Sequence, residues 1–299
     1  MKNVLIIGCG LLGSSLVRRI SKKKIAKKIF VYEKSKSNII KIKKLKLPGI
    51  IVKSLKDGVL NSDLIIFCTP TSEYRKLILK INSFILPNTV ITDIGSSKIE
   101  SSKIIKKFLK KGIHWIQSHP IAGSEVSGPE HGKDNMFEDK WCVLIKDTKT
   151  DLRHLKFLIS FWKKIGSKTV IMNPKKHDKI FSVTSHLPHL IAYNLVKSAQ
   201  DFEKILKINL IKYSAGGLRD FSRIAASNEI MWRDIFFDNK LNISKAIDLF
   251  IKNLKAFKKD INSSNNKSIL RKLTETKKVR SKIIRLKQDI DKPNFGRDF

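Results

Sequence analysis

Short runs of apolar residues alternate with longer stretches in which apolar positions recur every three or four residues. The runs at 4–7, 29–32, 50–52, 64–68 and 90–92 are each followed by a helical period. Nearly continuous apolar runs of this length fit parallel strands covered on both faces; strands with one wet face would alternate. A further run occupies 113–116, strand character resumes at 141–145 and 168–172, and 152–165 has the spacing of an amphipathic helix. From Pro174 onward only helical periods remain, with turn signals at Ala215-Gly216-Gly217, Asp238-Asn239 and 262–266. The pattern predicts an α/β fold. A doubly wound, mainly parallel sheet (the Rossmann arrangement) spans 1–173, and an all-α domain spans 174–299. Residues 126–140 are polar and contain glycine, which predicts a mobile loop, and 268–290 read as a basic amphipathic helix.

The first run ends in Gly8-Cys9-Gly10-Leu11-Leu12-Gly13, and the second ends at Glu33. Strand, G-x-G-x-x-G, helix, strand and acid in that order form a dinucleotide-binding fingerprint in its required context. Gly8 permits the tight turn. Gly10 lets backbone N–H groups approach a pyrophosphate, which then sits at the positive end of a helix. Gly13 lets that helix pack close to the sheet, and Glu33 would accept hydrogen bonds from the adenosine ribose. Thr69-Pro70-Thr71 follows the fourth run at the same edge. Its hydroxyls either face the ribose and nicotinamide or cap the next helix.

Composition narrows the picture only a little. Lys and Arg number 61 against 26 acids, a formal charge of +35, which would suggest nucleic acid. The lysines are spread through nearly every segment, so the charge reads as compositional, with attraction of small anions as its consequence. Cys9, Cys68 and Cys142 are odd in number, far apart and in apolar runs, which fits a reducing cytoplasm and no disulfide framework. No stretch is apolar enough to span a membrane, and the four apolar residues after Asn3 are too few for a signal peptide core.

Two histidine clusters carry candidate chemistry. Ser118-His119-Pro120-Ile121-Ala122-Gly123-Ser124-Glu125 reads as a strand ending in a loop that holds an imidazole at the C-terminal edge of the sheet. Open α/β sheets bind ligands at that edge. Ser185-His186-Leu187-Pro188-His189 lies in a helical stretch that Pro188 should kink. Its histidines share a face. Either one of them contacts the active site or both are core imidazoles. No H-E-x-x-H or cysteine cluster accompanies them, so no metal ligand set is expected. Within 218–237, Arg219, Asp220 and Arg223 form either a surface ion pair worth about 0–1 kcal/mol or a guanidinium fork for a substrate carboxylate. Ser96 and Ser97, in Asp93-Ile94-Gly95-Ser96-Ser97-Lys98, are placed to cap a helix beginning near Lys98 or to face substrate.

These segments, together with Asp220-Phe221-Ser222-Arg223-Ile224-Ala225 and Met231-Trp232-Arg233-Asp234, occur in an order that resembles the prephenate/arogenate (cyclohexadienyl) dehydrogenases of tyrosine biosynthesis. The resemblance implies a nicotinamide-dependent oxidative decarboxylation, of prephenate to 4-hydroxyphenylpyruvate or of arogenate to tyrosine. It assigns His119 as the base for the ring hydroxyl, a task suited to an imidazole with an ordinary pKa of about 6.5. It assigns Ser96 to that hydroxyl and to His119, His189 to the nicotinamide and substrate, and Arg223 to a substrate carboxylate. Glu125, Trp232 and Ser124 would shape the pocket, and Gly8, Gly10, Leu11, Leu12, Gly13, Glu33, Thr69 and Pro70 would hold the cofactor.

Glu33 favours NAD because a carboxylate repels a 2′-phosphate, whereas Lys34 and Lys36 could attract one and make NADP the alternative. The resemblance further implies a cytoplasmic homodimer formed through the helical domain, with no membrane or nucleic-acid partner. No chorismate mutase segment is expected before Met1, and the residues after about 265 read as too short and too basic for a regulatory ACT-type domain. The competing readings are another two-domain oxidoreductase, of 3-hydroxy acid or pyrroline carboxylate type, and a basic nucleic-acid-binding protein.

Overall fold

A computed structural model of the chain describes residues 3–288. Six parallel strands form the main sheet: β1 (Asn3–Ile7), β2 (Lys28–Tyr32), β3 (Ile50–Ile51), β4 (Leu64–Phe67), β5 (Val90–Asp93) and β6 (His114–Trp115). Their spatial order is β3-β2-β1-β4-β5-β6. The crossover helices are α1 (Leu11–Lys22), α2 (Lys36–Lys44), α3 (Leu55–Leu60), α4 (Tyr74–Ile81) and α5 (Ile99–Phe108). Alternate strand residues feed two separate cores. Val4, Ile6, Leu64 and Ile66 pack with Leu16, Val17 and Ile20 of α1, whereas Leu5, Ile7, Ile65 and Phe67 pack with Tyr74, Leu77 and Ile78 of α4. Burial on both faces is why these strands lack polar alternation.

A second, three-stranded sheet follows, which the apolar pattern did not separate from the first. It joins β7 (Ser118–Pro120), β8 (Trp141–Ile145) and β9 (Lys168–Met172), with β7 antiparallel to β8 and β8 parallel to β9. His119 therefore sits inside a short strand of this second sheet, paired with Val143, rather than in a loop beyond the main sheet. Two residues, Ile116 and Gln117, separate the sheets. The hinge is fixed by Ser118, whose Oγ lies 2.8 Å from Thr92 Oγ1 and accepts from Trp162 Nε1 at 3.0 Å. Trp162 belongs to α6 (Leu152–Ile165), which Asp151 caps and Gly166 ends in a left-handed turn.

The helical pattern after Pro174 is not one kinked rod. α7 (Pro174–Phe181) passes into a π-helical segment, Ser182–His186, and then into α8 (Leu187–Leu206). Pro188 has no N–H for the carbonyl of Thr184, so the widened turn sits immediately before it. The apolar run at 218–237 is likewise broken into α9 (Gly216–Ile224) and α10 (Glu229–Asp238), with Asn228 capping the second. α11 (Lys240–Asn262) and α12 (Asn266–Arg285) complete the described chain. Two compact units result, one up to Ile243 and one from Ser244 on, so residues 174–243 pack with the sheets. In the second unit Asp260 accepts from Ser268 Oγ at 2.6 Å and pairs with Lys272 Nζ at 2.7 Å, tying the start of α12 to the end of α11. α12 ends at Arg285, and the last two positions of the basic helix expected over 268–290 lie outside the described residues. No helix among the described residues is long and apolar enough to cross a membrane.

Candidate active site

The carboxyl ends of the main strands are in register, with Ile7 opposite both Tyr32 and Phe67, and Phe67 opposite Asp93. The next residues, Gly8, Glu33 and Cys68-Thr69, therefore share one edge. They lie where the strand order reverses, the place at which doubly wound sheets bind dinucleotides. Gly8 has φ +91°, and a Cβ there would meet the Cys68 carbonyl oxygen at 2.7 Å. A Cβ on Gly13 would lie 2.1 Å from the Gly8 carbonyl oxygen, so α1 approaches the loop only because residue 13 is glycine.

Gly10 faces open space at the start of α1, and Leu11 and Leu12 form that helix's first turn, half-buried. The Glu33 carboxylate accepts from Cys9 N–H at 2.8 Å and from Ser35 N–H at 2.8 Å, which pins it beside the glycine loop. The Thr69 hydroxyl is buried with no hydrogen-bond partner, next to Gly8, and Pro70 precedes a 3-10 turn. An open cradle over Gly10 and an orphaned hydroxyl beside it fit a dinucleotide. Cys9, buried beside Glu33, has its pKa pushed up to about 12 and stays a thiol.

The second cluster is built around His119. Its Nδ1 lies 2.8 Å from Nε2 of His177, and His177 Nδ1 lies 2.7 Å from Oδ1 of Asp178. A carboxylate can only accept, so His177 carries its proton on Nδ1 and presents a lone pair at Nε2. His119 then donates from Nδ1, leaving its Nε2 as the acceptor. The side-chain hydrogen bond that His119 makes among the described residues is at Nδ1. Phe181, one turn beyond His177 on α7, closes the other side of the imidazole at 4.8 Å between rings. Burial, then the neighbouring His177 and Lys98, hold the pKa of His119 well below the ordinary histidine value.

Asp178 also accepts from the backbone N–H of Lys98 and Ile99, each at 2.9 Å. It thereby caps α5, the role expected of Ser96 or Ser97. Ser97 Oγ instead donates to Asp238 at 2.8 Å, and Ser96 is half-buried beside His186. Lys98 is fully buried; its Nζ pairs with Asp93 at 2.8 Å and donates to the Ser118 carbonyl at 2.7 Å, joining the two sheets next to His119.

Asn239 links this relay to the helix histidines, donating to the Asp178 carbonyl at 2.8 Å and to His186 Nδ1 at 3.1 Å. His186 therefore carries its proton on Nε2, which has the Ser96 backbone nearby but no partner at hydrogen-bond geometry. Burial lowers its pKa to about 4. His189 donates from Nδ1 to the Ser185 carbonyl at 3.0 Å and stacks on Trp232 at 3.8 Å between ring centroids. Trp232 is buried and its indole N–H is likewise unpartnered. Arg223 is close enough to lower the pKa of His189, though burial is the larger cause.

The ion pair that Arg223 makes is with Glu125, at 3.0 Å, and Ser124 donates to the same carboxylate at 3.0 Å. Glu125 has a lowered pKa, from its own backbone N–H first and from Ser124 and Arg223 after it. Glu125, Ser124, Arg223, His189 and Trp232 thus form one group, joined to His119 through His186, His177 and Asn239. Sequence reasoning missed His177, Asp178, Lys98 and Asn239. The only local signal was Asn173-Pro174, a helix start that puts His177 and Phe181 on one face.

The comparisons agree with this geometry. A model described as prephenate dehydrogenase, nucleotide-binding domain, matches residues 16–171, and one described as prephenate dehydrogenase, dimerization domain, matches 173–275. The chain belongs to the prephenate dehydrogenase family. A cyclohexadienyl dehydrogenase from Zymomonas mobilis is 31% identical over 97% of this chain and 98% of its own length. A prephenate dehydrogenase from Lactococcus lactis is 32% identical over 94% and 77%. The crystal structure of A. aeolicus prephenate dehydrogenase with hydroxyphenyl propionate and NAD+ superposes with a TM-score of 0.87 at 34% identity, covering 95% of this chain and 98% of that one. The two prephenate dehydrogenase models meet between residues 171 and 173, at the N-terminus of α7.

Proposed function

We propose that the protein is an NAD-dependent dehydrogenase that oxidatively decarboxylates prephenate or arogenate, with His119 as its base. The carrying observation is the directed chain Asp178–His177–His119, which leaves the Nε2 lone pair of His119 as the acceptor. NAD, when bound, accepts the hydride from the ring carbon that bears the hydroxyl. His119 Nε2 takes the hydroxyl proton as that carbon becomes a carbonyl. The bond from the ring to its carboxylate then breaks, carbon dioxide leaves, and the released electron pair makes the ring aromatic. His177 and Asp178 orient the base and fix its tautomer, so that the lone pair is on Nε2.

Arg223 binds a substrate carboxylate in exchange for Glu125, and His189, held against Trp232, lines the same pocket. Ser96, whose backbone lies by His186, supplies a hydroxyl for the ring oxygen. Gly8–Gly13, Glu33, Thr69 and Pro70 hold the dinucleotide. Glu33 selects NAD by repelling a 2′-phosphate, and Lys34 is already paired with Glu73 at 2.8 Å. We infer that residues 1–173 form the nucleotide-binding half and that the chain forms a homodimer through the half that begins at 174. The protein acts in the cytoplasm on small molecules. A spectrophotometric panel of NAD and NADP against prephenate and arogenate tests this reading. NADH formation with either acid is expected; no turnover of either would refute it, and a preference for NADP would refute the role given to Glu33.

A further inference from the structure

A second histidine cluster lies outside the site above. His114 on β6, and Asp151 and His154 at the start of α6, offer ligand atoms that all lie within 4.8 Å of one another. The two imidazoles face each other at 4.4 Å between centroids, tilted by 34°. His154 Nδ1 is buried and lacks a partner at hydrogen-bond geometry, although Asp151 Oδ1 stands 3.2 Å away. Asp151 is held in place as the cap of α6, accepting from the N–H groups of Arg153 and His154 at 2.9 and 3.0 Å.

We propose that His114, Asp151 and His154 bind a divalent transition-metal ion, zinc by the chemistry of the donors. Two imidazole nitrogens and one carboxylate oxygen form a borderline N2O set that suits zinc and excludes the all-oxygen preference of calcium and magnesium. Zinc bonds to such donors at about 2.0–2.2 Å, so its ligands stand roughly 3.3–3.6 Å apart in a tetrahedron. The present spacing closes to that by small side-chain rotations, with water in the fourth position. Asp151 Oδ1 accepts the two cap N–H groups, so Oδ2, with Arg153 3.6 Å away, would be the oxygen that binds the ion. The ion would cross-link the edge strand of the main sheet to the first turn of α6, five residues ahead of His119 on the same segment. The sequence hid this set because Asp151 and His154, three residues apart, read as a helix start, and His114 comes from a separate segment. Nothing in it depends on the reaction proposed above.

The test is calorimetric titration of zinc chloride into the chelator-treated full chain. Wild type and the His131→Ala control, whose imidazole is exposed and outside the cluster, should each take up one saturable equivalent. His114→Ala and His154→Ala should weaken binding by more than about 100-fold, beyond the cost of losing an outer-shell partner. Asp151→Asn keeps a good helix cap while removing the charge, so it should weaken binding without unfolding the protein. Zinc should raise the melting temperature of wild type and leave that of the double variant His114→Ala/His154→Ala unchanged. No saturable uptake by wild type, or uptake that survives in the double variant, would overturn the proposal.

Discussion

His119 Nδ1 lies 2.8 Å from His177 Nε2, and the proton between them belongs to His119 because Asp178 holds the far side of His177. In the proposed reaction His177 is a positioning residue, since its hydrogen bonds go to His119 and Asp178. Replacing His177 with asparagine should lower kcat on the order of 100-fold, within the usual contribution of a positioned acid–base group. The KM for NAD should stay unchanged, because the side-chain hydrogen bonds of His177 go to His119 and Asp178. Steady-state kinetics separates the two effects; a loss confined to KM would contradict the relay.

The buried histidines set a pH dependence whose sign can be worked out. His119, His177 and His186 all have pKa values lowered chiefly by burial, that of His186 to about 4. Below the ordinary value of about 6.5 the unfolded chain binds protons that the folded chain refuses, so stability falls as pH drops. For His186 the loss runs from about pH 6.5 down to about 4. Urea midpoints measured across that range should decline toward acid. His186→Asn should flatten the decline, and an unchanged slope in that variant would remove His186 from it.

Arg223 and Glu125 predict a split between substrate and cofactor. Arg223→Lys keeps the charge but not the planar fork. It should raise the KM for prephenate or arogenate by about 10-fold or more, the scale of one lost charge-assisted hydrogen bond, and leave the KM for NAD alone. Initial-rate measurements with each ligand varied in turn would show it, and an equal effect on both KM values would not fit.

Lys98 and Asp93 form an ion pair with no exposure on either side chain. Removing one partner of a buried pair typically costs about 3–5 kcal/mol, because the other charge is stranded. Lys98→Met should therefore lower denaturant stability by that order, since Asp93 also anchors Ser118 N–H and Tyr74 OH. A loss near zero would mean that the pair is not what joins the two sheets.

The parts legible in the sequence were those whose partners are close in the chain or obey a strict period. The strands, the glycine loop and Glu33 announced themselves because parallel burial and a tight turn leave few residue choices. His119 was legible as a candidate but not in its setting. Two residues between β6 and β7 carry the chain into another sheet, and no period marks that change. Asp178 and Lys98 were illegible because their partners lie in other segments, and an aspartate capping a helix from a distance has no local signature. Glu125 comes to Arg223 from a loop, a pairing that the spacing along a helix cannot announce.

The claim on which the account rests is that His119 Nε2 removes the hydroxyl proton. His119→Asn keeps a polar side chain of similar reach and removes the base. With prephenate or arogenate and NAD at saturation, its kcat should fall by at least about 100-fold while NAD binding, followed by quenching of tryptophan fluorescence, stays as in wild type. A His119→Asn enzyme that still turns over at a rate close to wild type would contradict it.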